Sequence, residues 1–194
     1  MHPVHMPGSA SIGFRLHTGW AMLVAVDAGE EGLRVLHRCR VELLPPGRGR
    51  FVYHEAAELP LPDAERLIES VRRIASDTAR TAIRSAITNL EVTGACIATG
   101  SASVRDDLVA ILRTHPRIHA AEGALYAGVI ASACEHSGIP LITVRERDVW
   151  SRASVDAGMS EVDLRAGIEA VRKALGPPWT VDHKIATAAA LVRT

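Results

Sequence analysis

The apolar run from Ser11 to Asp27 constrains the fold of this chain most, because a polar break interrupts it at His17-Thr18-Gly19. Short runs rich in Val and Leu are typical of strands that are buried on both faces. Such a strand carries polar residues mainly where a site or an unusual backbone needs them. We therefore expect one strand over residues 11–27, with His17 as a candidate functional residue. A hydrogen-bonded histidine in the core is the alternative.

The first half of the chain otherwise predicts strands followed by a long helix. Residues 33–44 alternate apolar and polar side chains, as a strand with one solvated face does. Residues 51–54 follow a loop rich in Pro and Gly and predict a short third strand. Asp63 is the expected N-cap of a helix whose apolar positions continue to Leu90. Three antiparallel strands should open the domain.

The second half alternates helices and strands. We expect strands at 94–101 and 141–144, and helices at 104–113, 115–138, 160–176 and 181–192. Strands joined by helical crossovers pair in parallel. The order β-β-β-α-β-α-α-β-α-α therefore predicts a mixed α/β sheet in which antiparallel hairpin strands come first, later strands are parallel, and helices cover both faces.

Length and charge limit the classes of protein to which this chain can belong. The 194 residues suit one domain, over 11–194, preceded by a disordered tail at 1–10. The 22 basic side chains balance 22 acidic ones, so any nucleic acid must be bound through local contacts and not by bulk charge. The N-terminal apolar stretch 20–26 is far shorter than the ~20 residues that span a bilayer. We expect a cytoplasmic protein without a membrane segment, and homo-oligomerisation stays open.

The chain resembles a known family in its C-terminal part. The segment from Glu122 through 127–133 into 141–144, and the Ala-rich end 181–191, are similar to RuvC-type Holliday-junction resolvases. The element order resembles the ribonuclease H-like fold of that family. The resemblance implies a nucleic-acid substrate. It also implies carboxylates on the first strand, near the fourth strand and twice on the last helix, which hold two divalent metals that clamp a phosphodiester.

The family's carboxylates are mostly missing from the matching positions. Asp182 matches the first acid of the last helix, but Ile185 stands one turn later. The first-strand position falls at His17, and the fourth strand ends at 98–101 without an acid. Mg²⁺ prefers oxygen ligands in octahedral geometry, and most of the carboxylates that would supply them are missing. We therefore expect a degenerate metal site.

Several histidines and carboxylates are candidates for a mixed site instead. His119 and Glu122 lie one helical turn apart, so their side chains share one face of the helix. This face could bind a metal ion or hold an acid–base pair. The alternative is an ordinary solvated helix surface. Asp182 suits catalysis or the capping of its helix. We predict one shared site. Its catalytic residues are His17, His119, Glu122 and Asp182, and its ligands for Mg²⁺, Mn²⁺ or Zn²⁺ are His17, Glu122, Asp182 and His183.

Basic residues near this site are candidates for substrate binding. Arg145 and Arg147 follow a strand at the edge where open α/β sheets hold ligands, although pairing with neighbouring acids explains them equally. His54 and Lys184 are further candidates. The predicted function is binding or hydrolysis of a phosphodiester in nucleic acid. The alternatives are a non-catalytic binding or assembly module and a protein that binds nucleotide phosphates.

Overall fold

The computed structural model describes residues 9–29, 32–100 and 107–193, and its strands form one five-stranded sheet. The strands are β1 (Ser9–His17), β2 (Trp20–Gly29), β3 (Gly32–Glu42), β4 (Glu91–Thr99) and β5 (Leu141–Arg145), in the spatial order β3-β2-β1-β4-β5. β1, β2 and β3 pair antiparallel, whereas β4 runs parallel to β1 and β5 parallel to β4. The predicted mixed sheet is confirmed. Ser9 and Ala10, expected in a tail, belong to β1, and the rest of that tail lies outside the described residues.

The helices are α1 (Val52–Ala57), α2 (Leu61–Ala86), α3 (Leu108–Leu112), α4 (His115–His136), α5 (Val149–Ala157), α6 (Glu161–Leu175) and α7 (Val181–Ala190). The sequence does not predict α5, and α2 begins two residues before the expected cap Asp63. Positions 104–106 of a predicted helix lie outside the described residues. Within the described ranges, no helix has the length and apolar character that a membrane span requires.

The apolar run 11–27 forms two strands, so the prediction of a single strand is wrong. Gly19 has a φ of +81°, in the left-handed region that glycine adopts readily, and it lets the chain reverse after β1. His17 then lies opposite Trp20 as the last pair of the β1–β2 ladder. The polar break is a hairpin turn, and it places His17 at the carboxyl end of β1.

The predicted third strand at residues 51–54 is also wrong, because this segment begins α1. Phe51 occupies the N-cap position and contributes no side-chain hydrogen bond. Instead, Oε1 of Glu122 accepts the backbone N–H of Tyr53 at 2.8 Å and that of His54 at 3.4 Å. A carboxylate is well suited to the positive end of a helix. This cap comes from α4, 69 residues away along the chain, so no local pattern predicts it.

Side chains of β1 alternate between two helical layers. Ile12, Phe14 and Leu16 are buried in a core that α2 and α4 complete. The odd-numbered residues 13–17 face α7, which packs on β1, β2 and β4. Because α5 and α6 join α7 in this second core, helices cover both faces of the sheet as predicted.

Strand β1 and helix α7 are in backbone contact. A Cβ atom added at Gly13 would lie 1.9 Å from the carbonyl oxygen of Ala186 and 2.4 Å from the amide nitrogen of Ala190. Only glycine on the strand and small residues on the helix allow this approach. The contact brings the N-terminal turn of α7 to the carboxyl end of β1.

We expect Gly13→Ala to destabilise the protein by about 3 kcal/mol or more, because the new methyl group collides with backbone atoms and must displace α7. Urea unfolding followed by circular dichroism measures this change. The matched control is Gly167→Ala in α6, where a Cβ meets no atom within 4 Å, and this change should be neutral or stabilise by up to about 1 kcal/mol. Equal stabilities of Gly13→Ala and the wild type would show that the contact is not restrictive.

Candidate functional site

Four partly exposed polar side chains meet where β1 ends and α7 begins. We name Arg15, His17, Glu146 and Asp182 the His17–Asp182 cluster. Nε2 of His17 lies 2.8 Å from Oδ1 of Asp182, and Nη1 of Arg15 lies 2.6 Å from the same oxygen. Arg15 also binds both carboxylate oxygens of Glu146, through Nε at 3.1 Å and Nη2 at 2.9 Å. One guanidinium therefore links two carboxylates.

The charges in this cluster determine the protonation of its members. Burial favours a higher pKa for Asp182, but the hydrogen bond from His17 and the positive charge of Arg15 hold this pKa below its usual range. Asp182 is therefore ionised at neutral pH. Because an ionised carboxylate only accepts hydrogen bonds, Nε2 of His17 carries a proton. A divalent cation at Asp182 would have to displace Arg15, so the geometry does not favour Mg²⁺ binding here.

An aromatic and basic group adjoins the cluster. The His17 ring stacks on Trp20 with centroids 4.0 Å apart and planes 7° from parallel. The guanidinium carbon of Arg40, on the other neighbouring strand, lies 3.9 Å from the centroid of the same indole. The side chain of Arg50 lies against Gly19 in the hairpin turn, and Glu42 pairs with both arginines. We name Trp20, Arg40 and Arg50 the Trp20 group.

A second polar cluster lies in the other helical layer. His54 belongs to α1, and His115 and His119 lie one turn apart at the start of α4. Nε2 of His119 is 2.8 Å from Nε2 of His115, and the His54 ring centroid is 5.1 Å from that of His115 and 4.8 Å from that of His119. We name these three residues the His54 cluster. Behind it, Oε1 of Glu122 lies 3.4 Å from Nδ1 of His54.

The environment of the His54 cluster shifts two pKa values. Burial raises the pKa of Glu122, and the hydrogen bonds from Tyr53 and His54 oppose this rise. Oε2 of Glu122 is buried and has no hydrogen-bond partner within the described ranges. Burial and the neighbouring His115 and His54 lower the pKa of His119. The neutral imidazole, the form that binds metals, is thus favoured at His119.

The structure divides the residues of the predicted shared site between these two clusters. It brings His17 to Asp182 and Glu122 to His54, but it does not bring the two pairs together. In the part of the chain that the structure describes, the one set of three or more His, Cys, Asp or Glu side chains with ligand atoms within 4.8 Å of one another is the His54 cluster. The physical reason is that α4 and α7 lie on opposite faces of the sheet.

Two histidines have partners other than those that the sequence predicts. His119 contacts His115, one turn earlier, while its expected partner Glu122 contacts α1. Nδ1 of His183 accepts the backbone N–H of Thr180 at 3.1 Å, and the ring is buried beside Trp179. His183 therefore caps the start of α7, and its ring packs beside Trp179.

The candidate substrate-binding residues form ion pairs with nearby acids. Nε of Arg145 lies 2.7 Å from Oδ2 of Asp148, and Nε of Arg147 lies 3.6 Å from Oδ1 of the same residue. Nζ of Lys184 lies 2.6 Å from Oε2 of Glu169. This geometry matches the ion-pairing alternative. A substrate would have to compete with these carboxylates, and the binding roles of the three residues stay predictions.

Sequence reasoning missed Arg15, Glu146 and His115. The signal for Arg15 was present, because a charged residue two positions before His17 lies on the same face of the strand. His115 precedes His119 by four residues, the spacing of neighbours on one helix face. Glu146 is one of the acids next to Arg145 in the sequence, and nothing in the local pattern indicates its bond to Arg15.

The sheet order and helical layers define a ribonuclease H-like fold. The structure is similar to that of RuvC from Thermus thermophilus, with a TM-score of 0.55 and 12% identity over 94% of this chain and 90% of RuvC. T. thermophilus RuvC in complex with a Holliday junction substrate matches with the same values. No protein-family model and no curated protein sequence matches the chain. The similarity at this identity is one of fold alone.

We expect Asp182→Asn to lower the stability of the protein at pH 7, because Arg15 and His17 lose an ionised partner. A carboxyl group with a lowered pKa stabilises the fold above its unfolded pKa, and this contribution is lost as the pH falls through the folded pKa. The stability difference between wild type and variant should therefore shrink toward about pH 3. Urea unfolding at several pH values measures this stability difference. The control is Asp77→Asn, because Asp77 forms an exposed ion pair with Arg80. A pH-independent difference would contradict the pairing.

Proposed function

We propose that this protein binds nucleic acid through its sugar–phosphate backbone, at the surface formed by the His17–Asp182 cluster and the Trp20 group. The observation that carries the proposal is the stacking of His17 and Arg40 on Trp20 beside the Arg15–Asp182 pair. The ribonuclease H-like fold is compatible with it, since RuvC of the same fold has been solved with a Holliday junction substrate.

The distribution of charge supports local contacts with phosphates. The side chains of Arg40 and Arg50 are 42% and 46% exposed, and Arg48 in the loop before α1 is exposed as well. Glu42 offsets one of these three positive charges, and Arg15 offsets one of the two carboxylates in the His17–Asp182 cluster, so the surface keeps a net charge of +1 with a neutral His17. His17 and Arg40 stack on Trp20, so the indole positions these two side chains and is not itself a platform for bases. Exposed arginines can contact phosphates of the nucleic-acid backbone. A chain with zero net charge can bind in this way.

Hydrolysis of the bound phosphodiester is a second candidate function, and the His17–Asp182 hydrogen bond favours it. With Nε2–H held by Asp182, a neutral His17 has Nδ1 without a proton, and this nitrogen can accept one from a water whose oxygen bonds to phosphorus. The P–O bond to the leaving oxygen breaks, and the imidazolium returns the proton to that oxygen. The side chain of His17 is 31% exposed, which allows access to a substrate. Arg15 already supplies positive charge at this point. The dyad is therefore proposed to work without a metal at Asp182.

We expect Arg40→Ala to weaken binding of nucleic acid several-fold at low salt. Loss of one phosphate contact should also reduce the slope of log K against log salt by about 1. Fluorescence anisotropy measures the affinity and the salt slope. The labelled probes are a four-way DNA junction, duplex DNA, single-stranded DNA and RNA. The matched control is Arg80→Ala on the exposed face of α2, which also removes a paired arginine and should leave the affinity unchanged. The proposal fails if no substrate binds, or if both variants behave alike.

For hydrolysis, we expect cleavage of a bound substrate in the presence of EDTA, and a loss of about 100-fold or more in rate for His17→Gln, because a general base contributes on this scale. Gel analysis of the same substrates with EDTA, Mg²⁺, Mn²⁺ or Zn²⁺ tests it, with the remote His136→Gln as a control. Absence of cleavage under every condition would exclude hydrolysis. Binding without cleavage would identify the non-catalytic module.

A further inference from the structure

The His54 cluster has the composition and spacing of a metal site. Its three imidazoles each place one ligand nitrogen within 4.8 Å of the other two. Nitrogens around a tetrahedral zinc ion, at Zn–N distances of about 2.0–2.1 Å, are separated by about 3.3 Å. The 2.8 Å between the Nε2 atoms of His115 and His119 is slightly shorter. Small rotations of two exposed rings are sufficient to place an ion between them.

Glu122 supplies a second and independent observation. Metal-binding histidines commonly donate their other ring N–H to a carboxylate, which fixes the tautomer and the direction of the ring. Nδ1 of His54 lies on the Glu122 side, at 3.4 Å from Oε1, so Nε2 is the nitrogen left to coordinate an ion. The Glu122 side chain is almost fully buried and holds α1 through the Tyr53 amide as well. His54 is thus oriented before any ion arrives.

The buried oxygen Oε2 of Glu122 strengthens this assignment. It has no hydrogen-bond partner among the described residues, and a buried carboxylate oxygen without a partner is costly. Positive charge placed on the imidazole of His54 would stabilise the carboxylate as a whole. A metal ion bound to Nε2 of His54 supplies such charge without a change in the surrounding packing.

The ligand type identifies the class of metal. Imidazole nitrogens suit Zn²⁺ and the neighbouring ions Co²⁺, Ni²⁺ and Cu²⁺, whereas Mg²⁺ requires oxygen ligands. Three protein ligands leave a fourth position for water, as in catalytic and not structural zinc sites. His115 and His119 lie on the surface, so an ion reaches them directly from solvent. The positive end of α4 opposes a cation, but this effect is small beside three coordinate bonds.

We infer that His54, His115 and His119 bind one Zn²⁺ ion, with Glu122 as a positioning residue that orients His54. This site is separate from the His17–Asp182 cluster and does not depend on the nucleic-acid proposal. The zinc site lies on the α4 side of the sheet, and the His17–Asp182 cluster lies on the α7 side. Each can exist without the other.

Titration calorimetry of the tag-free, chelator-treated full chain with Zn²⁺ tests the inference. We expect about one ion per chain, visible absorption bands of tetrahedral Co²⁺ with cobalt, and no response to Mg²⁺. The double variant His115→Ala, His119→Ala should abolish binding, and Glu122→Gln should weaken it about 10–100-fold. His136→Ala is the matched control, because it removes an exposed histidine at the far end of α4.

A loss of zinc binding in a variant can be distinguished from a loss of folding. His115 and His119 are exposed, so the double variant should keep the circular dichroism spectrum of the wild type. Zinc should raise the unfolding temperature of the wild type and of His136→Ala, but not that of the double variant, because an ion that binds only the folded chain stabilises it. No zinc binding by the wild type, or equal binding by the double variant, would overturn the inference.

Discussion

The backbone contact between Gly13 and α7 determines the arrangement of the second helical layer. Strand and helix touch here without an intervening side chain, and this contact positions α7 against β1. That position sets Asp182, in the first turn of the helix, within hydrogen-bond distance of Arg15 and His17. A side chain at position 13 would push α7 away from β1 and break the hydrogen bonds of the His17–Asp182 cluster. The chemistry at this end of the sheet thus depends on a residue that has no side chain.

Much of the fold was predictable, and the two wrongly predicted strands have different physical causes. Apolar runs bounded by turn residues identify the two strands after residue 90, and the helices between them predict parallel pairing. The turn at Thr18 and Gly19 is so short that a hairpin over 11–27 looks like a single strand with a polar break. Residues 51–54 favour a strand by composition, but the carboxylate of Glu122 stabilises the first turn of α1. That carboxylate lies 69 residues from Tyr53 along the chain, so a local window does not contain the contact.

The candidate site was less predictable than the fold. The resemblance to RuvC-type resolvases predicted that His17 and Asp182 share a site, and the structure brings them together. His119 and Glu122 share a helix face as expected, but each has its nearest partner elsewhere: His115 on the same helix and His54 on α1. The partner of Glu122 could not be predicted, since α1 was itself expected to be a strand. Pairing across layers requires coordinates for both elements.

The position of β3 at the edge of the sheet has a consequence for association between chains. An edge strand has backbone groups that can pair with a strand of another molecule. Three arginines, Arg34, Arg38 and Arg40, lie along β3, and Arg38 donates to the carbonyl oxygens of Gly176 and Pro178. A second copy that pairs here would have to desolvate these guanidinium groups and their ion pairs. Charged side chains of this kind disfavour strand exchange and fibre growth at an edge strand.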